Sequence, residues 1–293
     1  MNFLQYLING VSIGAVYAII ALGYTMVYGI AKMLNFAHGD VIMVGAYMSF
    51  SVTTYLGLPT VAGIAVAVLV CTLLGMLIEG LAYKPLRGVP SLAVLITAIG
   101  VSYFLQNAAQ LIWGAAPKNF TSLVTMKPIM LFNGSLVITG EAILTVVVSA
   151  LVMIGLTLFT NKTRTGKAMR AVSEDRDAAQ LLGINVNRTI STTFAIGAAL
   201  AAIAGVLLCS TVPTLQPTTG SMPGIRAFTA AVFGGIGSIP GAMLGGILLG
   251  IIETFAKAYI STQFSDAIVF SVLVIILLVK PTGLLGKQIQ EKV

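Results

Sequence analysis

Charge is scarce in this chain: 16 basic and 9 acidic residues among 293, or 9%, where a soluble domain carries about a quarter. With 57% hydrophobic residues and a mean hydropathy of +1.00, that scarcity excludes an ordinary water-soluble globule. Histidine occurs once, at His38, with no metal-binding company, which argues against a metal site. The two cysteines, Cys71 and Cys209, lie far apart in apolar runs; they read as small buried hydrophobes and carry no information on redox compartment. No GxxxxGK[ST] phosphate loop is present, so ATP is not handled by this chain. A lone histidine beside no nucleophile makes no catalytic constellation, so the chain does not read as an enzyme. The net charge of +7 resembles a nucleic-acid signal until its placement is considered. The basic residues gather in a few loops, as positive-inside orientation requires, and nucleic acid is not an expected partner.

What the chain has instead is apolar runs near the roughly 20 residues that a membrane helix needs. Candidate segments are 4–30, 40–56, 60–81, 91–113, 141–160, 189–212, 226–236, 240–258 and 266–280. Their periodicity is not that of a β-barrel, whose strands alternate over about ten residues. The predicted fold is therefore all-α: a polytopic helical membrane protein of about eight to nine segments, one of them short or re-entrant. It forms a single transmembrane domain over 1–293. The first run, Phe3 to Ile30, has neither a basic n-region nor a small-residue cleavage site and reads as a retained span.

Nine of the charges fall between Asn161 and Arg188. A membrane protein this apolar keeps a charged platform where something outside the bilayer grips it. With 161–188 in the cytoplasm, Lys84, Arg87 and Lys32 also fall inside, and the N-terminal MNFLQYL, without Lys or Arg, falls outside. Lys280, Lys287 and Lys292 are cytoplasmic only if segment 226–236 crosses; a re-entrant hairpin there would break the rule, and crossing is the expectation. Two connections face outward: 114–140, with Pro117, Pro128 and an Asn133-Gly134 turn signal, and Pro213 to Gly224. Each reads equally well as a plain connector or as a contact for an external partner.

Within the charged stretch, Thr165-Gly166 is expected to interrupt the chain. Ser173 then reads as an N-cap before Glu174 and Asp175, whose charges suit the positive end of a helix. Gly183 supplies the C′ stop after Leu181 and Leu182. A helix over 174–182 is too short to stand alone in water. It packs against its own membrane domain or against a partner. The run Asp177-Ala178-Ala179-x-x-x-Gly183 resembles the EAA-x-x-x-G cytoplasmic motif of permease subunits in bacterial ABC importers, with Asp in place of Glu and without the later Leu-Pro element. The longer stretch GKAMRAVSEDRDAAQLLGINV resembles the loop of branched-chain amino-acid permeases of the LivH type. Three further segments agree: Leu34 to Asp40, Ile99 to Ser102 with Gln106-Asn107, and Phe233 to Gly241.

The resemblance extends over nearly the whole chain and implies a permease subunit of an ATP-driven importer in the bacterial inner membrane. It further implies a second, homologous permease, two ABC ATPases that bind ATP and Mg, and a periplasmic or lipid-anchored substrate-binding protein. No cofactor is expected on this chain. Arg170, Glu174, Asp175, Asp177, Ala178, Ala179 and Gly183 are the expected coupling residues. The same family includes carriers of urea and short amides, and an ion-coupled secondary transporter is the reading from a different class. With six acidic residues outside the charged stretch, several near span ends, ion coupling is the weaker of these.

Polar residues inside apolar sequence are the remaining signals. A charge in lipid costs about 2.5–3.5 kcal/mol on insertion scales, so Asn35, His38 and Asp40 face either a pathway or a turn. One reading is a broken helix near the translocation route, its backbone freed at Gly39. The other is a cytoplasmic turn in which Asp40 caps the second helix. Gln106, Asn107 and Gln110 either line a pathway or hydrogen-bond between helices, at about 0.6 kcal/mol per contact. Glu253 and Lys257, spaced i,i+4, are expected to neutralise each other without a transport role. Gly237, Gly241 and Gly245 form a small-residue stripe, repeated by Gly246 and Gly250, that serves helix packing or a seam with a second membrane subunit.

Overall fold

The apolar runs become helices in the computed structural model, which describes residues 2–121, 127–131, 134 and 136–286. The helices are α1 (Asn2–Ala31), α2 (His38–Phe50, continued by a π-helical turn to Tyr55) and α3 (Thr60–Ile78, continued irregularly to Leu86). Then come α4 (Ser91–Trp113), α5 (Gly140–Lys162), α6 (Arg164–Glu174), α7 (Arg176–Leu181) and α8 (Val186–Thr211). The chain closes with α9 (Ser221–Gly234), α10 (Ile239–Tyr259) and α11 (Ser265–Val279). Among the described residues, α1, α3, α4, α5, α8 and α10 are long and apolar enough to cross a bilayer, while α2, α9 and α11 are shorter. The protein is thus all-α and multi-pass. Among the described residues, strands form two short antiparallel pairs, Lys118–Asn119 with Thr214–Leu215 and Ile129–Leu131 with Leu136–Ile138.

The central helix is α1, buried from Ala15 to Val27 and packed antiparallel on α10. Glycine permits that approach: a Cβ on Gly250 would lie 2.3 Å from the Gly14 backbone, and one on Gly246 2.5 Å from that of Ala18. The neighbouring stripe serves α9. A Cβ on Gly245 would fall 2.2 Å from the Ala230 carbonyl oxygen, and one on Gly241 2.4 Å from that of Gly234. Gly237, at φ +94°, makes the α9–α10 turn. Of the two readings of the Gly237, Gly241 and Gly245 stripe, helix packing within the chain is the one that the contacts of Gly241 and Gly245 support. Both glycine faces of α10 are occupied within the chain, because α10 lies between α1 and α9. Gly245→Leu is expected to cost at least the ~1–3 kcal/mol of overpacking. Thermal melting of the purified chain, before any partner is added, checks this.

Basic residues gather at one end of the bundle. Arg176 of α7 bonds the last carbonyl of α1, Arg87 bonds Asn187 at the start of α8, and Lys280 comes just after α11, beside the end of α9. The opposite end holds Lys118, Lys127 and Lys257, the last of these paired with Glu253. By the positive-inside rule the first end is cytoplasmic. The amides of Leu284 and Leu285 donate to the Phe233 and Gly234 carbonyls, so α9 ends on that side. Residues 212–220 come from the other end, where Thr214–Leu215 pairs with the segment after α4. The short 226–236 segment thus traverses only in combination with the extended chain before α9. Lys287, Lys292 and Asn133 lie outside the described residues.

The charged stretch forms two helices, not one. The break after α5 is at Thr163, whose hydroxyl caps α6 at the Gly166 amide (3.0 Å). Gly166 lies inside α6, where a Cβ would meet the Phe159 oxygen of α5 at 2.2 Å. Met169 and Val172 bury the same face of α6. Ser173 is therefore in the last turn of α6, its hydroxyl on the Arg170 carbonyl, and does not cap the next helix. The cap is Asp175, whose carboxylate accepts from the Asp177 and Ala178 amides at 2.9 and 3.0 Å. Gly183, at φ +81°, stands after α7 in the left-handed conformation a C′ stop requires.

Candidate functional site

The helix break after α1 builds the site. Lys32, the single non-glycine residue with positive φ (+53°) among the described residues, ends α1, and residues 33–37 turn back into the bundle. Asn35 is buried there and accepts from the Tyr83 hydroxyl at 2.9 Å. His38, first residue of α2, packs its ring on Tyr24 (centroids 4.6 Å apart) and beside Gly23. Gly23 is eight residues from the end of α1, so α2 begins about 12 Å inside that end. Asn35, His38 and Asp40 are each at most 6% exposed. A solvent-facing cytoplasmic turn does not describe them. The chain re-enters the bundle and starts a helix there. The Nε2 atom of His38 is buried without a hydrogen-bond partner.

The first turn of α2 meets the first turn of α9. Glycine is required: a Cβ on Gly220 would lie 1.7 Å from the Gly39 oxygen, and one on Gly224 2.9 Å from the Gly39 Cα. Beside this junction, Gln106 of α4 donates from Nε2 to the Asp40 carboxylate (2.9 Å) and lies 3.2 Å from the Ser221 hydroxyl and 3.3 Å from that of Ser102. Asp40, Gln106, Ser102 and Ser221 thus converge from α2, α4 and α9. Among the described residues no Lys or Arg pairs with Asp40, although its side chain is buried. Its position in the first turn of α2 lets that helix's dipole favour the charge. By contrast, α9 begins with no acidic residue in its first turn and no side-chain cap.

Asn107 does not join the cluster. It lies on the exposed face of α4 and donates to the Tyr103 carbonyl at 2.7 Å. Gln110 is exposed on α4 as well. Of the residues singled out in the charged stretch, Ala179 is buried, whereas Arg170, Glu174, Asp175, Asp177, Ala178 and Gly183 are exposed. Arg170 bonds Asn161 at 3.2 Å. Leu181 and Leu182 protrude at the tip of α7, 89% and 80% exposed.

Sequence reasoning missed an ionic network around Arg226. Its guanidinium reaches Asp266 of α11 (2.6 Å), Glu253 of α10 (2.9 Å) and the Tyr17 hydroxyl of α1 (3.1 Å). Lys257 bonds Glu253, as expected of the i,i+4 pair, but the pair does not stand by itself. The signal was available. An arginine in an apolar helix needs a carboxylate, and Glu253 and Asp266 are among the few in the second half. On the cytoplasmic side, buried Glu79 pairs with Arg87 and accepts from Ser191 at 2.6 Å.

Comparison with known proteins bears on this arrangement. Residues 6–277 match the family model described as branched-chain amino acid transport system / permease component. The chain is 48% identical to the high-affinity branched-chain amino acid transport system permease protein BraD of Pseudomonas aeruginosa, covering 100% of this chain and 98% of that protein. It is 47% identical to LivH of Escherichia coli K12, with the same coverages. Among solved structures, PsaBC from Streptococcus pneumoniae in complex with Fab shares the fold at a TM-score of 0.50 and 16% identity, over 96% of this chain and 93% of that one.

Proposed function

This chain belongs to the family of branched-chain amino acid transport permease components, and we propose that it forms one half of the membrane pathway of an ATP-driven importer for branched-chain amino acids in the bacterial inner membrane. The observation that carries the reading is Asp40: a carboxylate buried at the α2–α9 junction, hydrogen-bonded to Gln106 and unpaired with any cation among the described residues. Intramembrane ionisable groups mark substrate routes. The substrate's ammonium group supplies the missing cation. Its carboxylate lies against the first turn of α9 and the Ser221 hydroxyl, as discontinuous helices receive anions in transporters.

The second wall belongs to another, homologous permease facing α4. On α5 the exposed face reads Leu144, Val147, Leu151, Ile154 and Leu158, as lipid requires. On α4 the exposed residues include apolar Leu92, Ile96, Phe104 and Leu111 but also Asn107 and Gln110, whose amides are costly against hydrocarbon. Asn107 is therefore kept as a pathway residue on the far side of α4 from Asp40. ATP and Mg are held by two ATPases, onto which α7 docks with Leu181 and Leu182, and an external binding protein delivers the amino acid. Asn35 and His38 position the start of α2, and neither touches substrate in this reading.

The test is reconstitution. The permease pair, ATPases and binding protein in proteoliposomes are expected to transport labelled leucine when ATP is supplied on the ATPase side, without an ion gradient. Uptake of urea or short amides in preference to leucine, or uptake driven by an ion gradient without ATP, would overturn the assignment.

A further inference from the structure

We infer that Arg176 is the residue through which movement of α7 reaches the substrate site, by its grip on the end of α1. The inference rests on the importer reading above and adds to it a contact that the coupling motif does not contain. Arg176 is the first residue of α7, and its Nη2 donates to the carbonyl oxygen of Ala31, the last residue of α1. That carbonyl is one of the four that a helix C-terminus leaves without an intrahelical donor, and it lies at the negative end of the α1 dipole. A guanidinium there is favoured twice, as donor and as cation.

The chain beyond Ala31 gives the contact its consequence. Lys32 takes the left-handed conformation, residues 33–37 turn back into the bundle, Tyr83 holds Asn35, and α2 opens with His38 and Asp40. Arg176 therefore holds the chain at the hinge between the central helix and the helix that carries the unpaired carboxylate. The remainder of α7 grips the membrane domain narrowly: Ala179 is buried, while Asp177, Ala178, Gln180, Leu181 and Leu182 are exposed. Arg87 stands beside Arg176 but is engaged elsewhere, with Glu79 and Asn187. α6, joined to α7 at Asp175, also packs on α1, but Arg176 is the α7 side chain that bonds the α1–α2 hinge itself, so a shift of α7 reaches that hinge directly through it. Arg176 is a positioning residue and touches no substrate.

The experiment compares the assembled complex carrying wild-type Arg176, Arg176→Met and Arg176→Lys in proteoliposomes, reading ATP hydrolysis and leucine uptake in the same sample. Methionine keeps much of the apolar stem without a donor, and lysine restores a donor and the charge. For Arg176→Met, the ATPases are expected to co-purify and hydrolyse ATP near the wild-type rate. Uptake per ATP is expected to fall by roughly 5- to 150-fold, the range of a coupling of ordinary size, with partial recovery in Arg176→Lys. An unchanged ratio overturns the inference. So does a parallel loss of hydrolysis and uptake, or loss of the ATPases on purification, each of which makes Arg176 a docking or folding residue. Absence of ATP-driven uptake in the wild type removes the importer reading itself, and this inference with it.

Discussion

Asp40→Asn is expected to reduce ATP-driven leucine uptake by roughly 30-fold to several thousand-fold, the ~2–5 kcal/mol attached to one partner of a buried, hydrogen-bonded charge pair. Asparagine keeps the size of the side chain and an oxygen that can accept from Gln106, now at 2.9 Å. It removes only the charge. The stability of the purified permease is expected to hold or rise, because a buried carboxylate without a cation costs free energy in the empty protein. Loss of function with gain of stability is the signature of a site kept ready for a ligand. Uptake assays and thermal melting of the same preparation check both halves. A variant that loses stability and uptake together would make Asp40 a structural residue.

Arg226→Met is expected to have the opposite character. It leaves Glu253, 1% exposed, with Lys257 as its remaining partner, and removes the cation beside Asp266, which water can still reach. Removing one member of a buried ion pair costs about 3–5 kcal/mol, and the Lys257 contact places this case toward the lower end. The loss shows as a lower melting temperature and a lower yield of intact permease. Arg226→Met combined with Glu253→Met should regain much of the difference, since the uncompensated charge goes with its partner. A double variant no better than the single one would mean that packing around Arg226, not its charge, holds α9 to α10 and α11.

The helices themselves were legible because lipid imposes one requirement on every residue of a span. Segment 91–113 coincides with α4, bounded by Pro90 before and Gly114 after, both readable as signals. The features that escaped depend on partners distant in sequence. A four-residue glycine period states that something approaches closely, and only the fold says that Ala230 and Gly234 of the same chain do so. Ser173 and Asp175 are both good caps. The packing of Gly166, Met169 and Val172 against the membrane helices extends α6 past the first and leaves the second to start α7. Gln106 and Asn107 are adjacent, but the helix turns about 100° between them, so one reaches Asp40 and the other faces outward. Arg226 has partners 27 and 40 residues away, beyond any local pattern. The polar segment Asn35–Asp40 was recognised as unusual, while its depth emerged only from His38 lying against Gly23.

The most direct test of Asp40 as the receiver of the substrate's ammonium group is a structure of the assembled complex, trapped with nucleotide while leucine occupies the pathway. The ammonium nitrogen is expected within hydrogen-bond distance of the Asp40 carboxylate, about 2.7–2.9 Å, with the leucine carboxylate toward Ser221 and the start of α9. Leucine bound elsewhere in the pathway, with Asp40 still engaged by Gln106 alone, would contradict it.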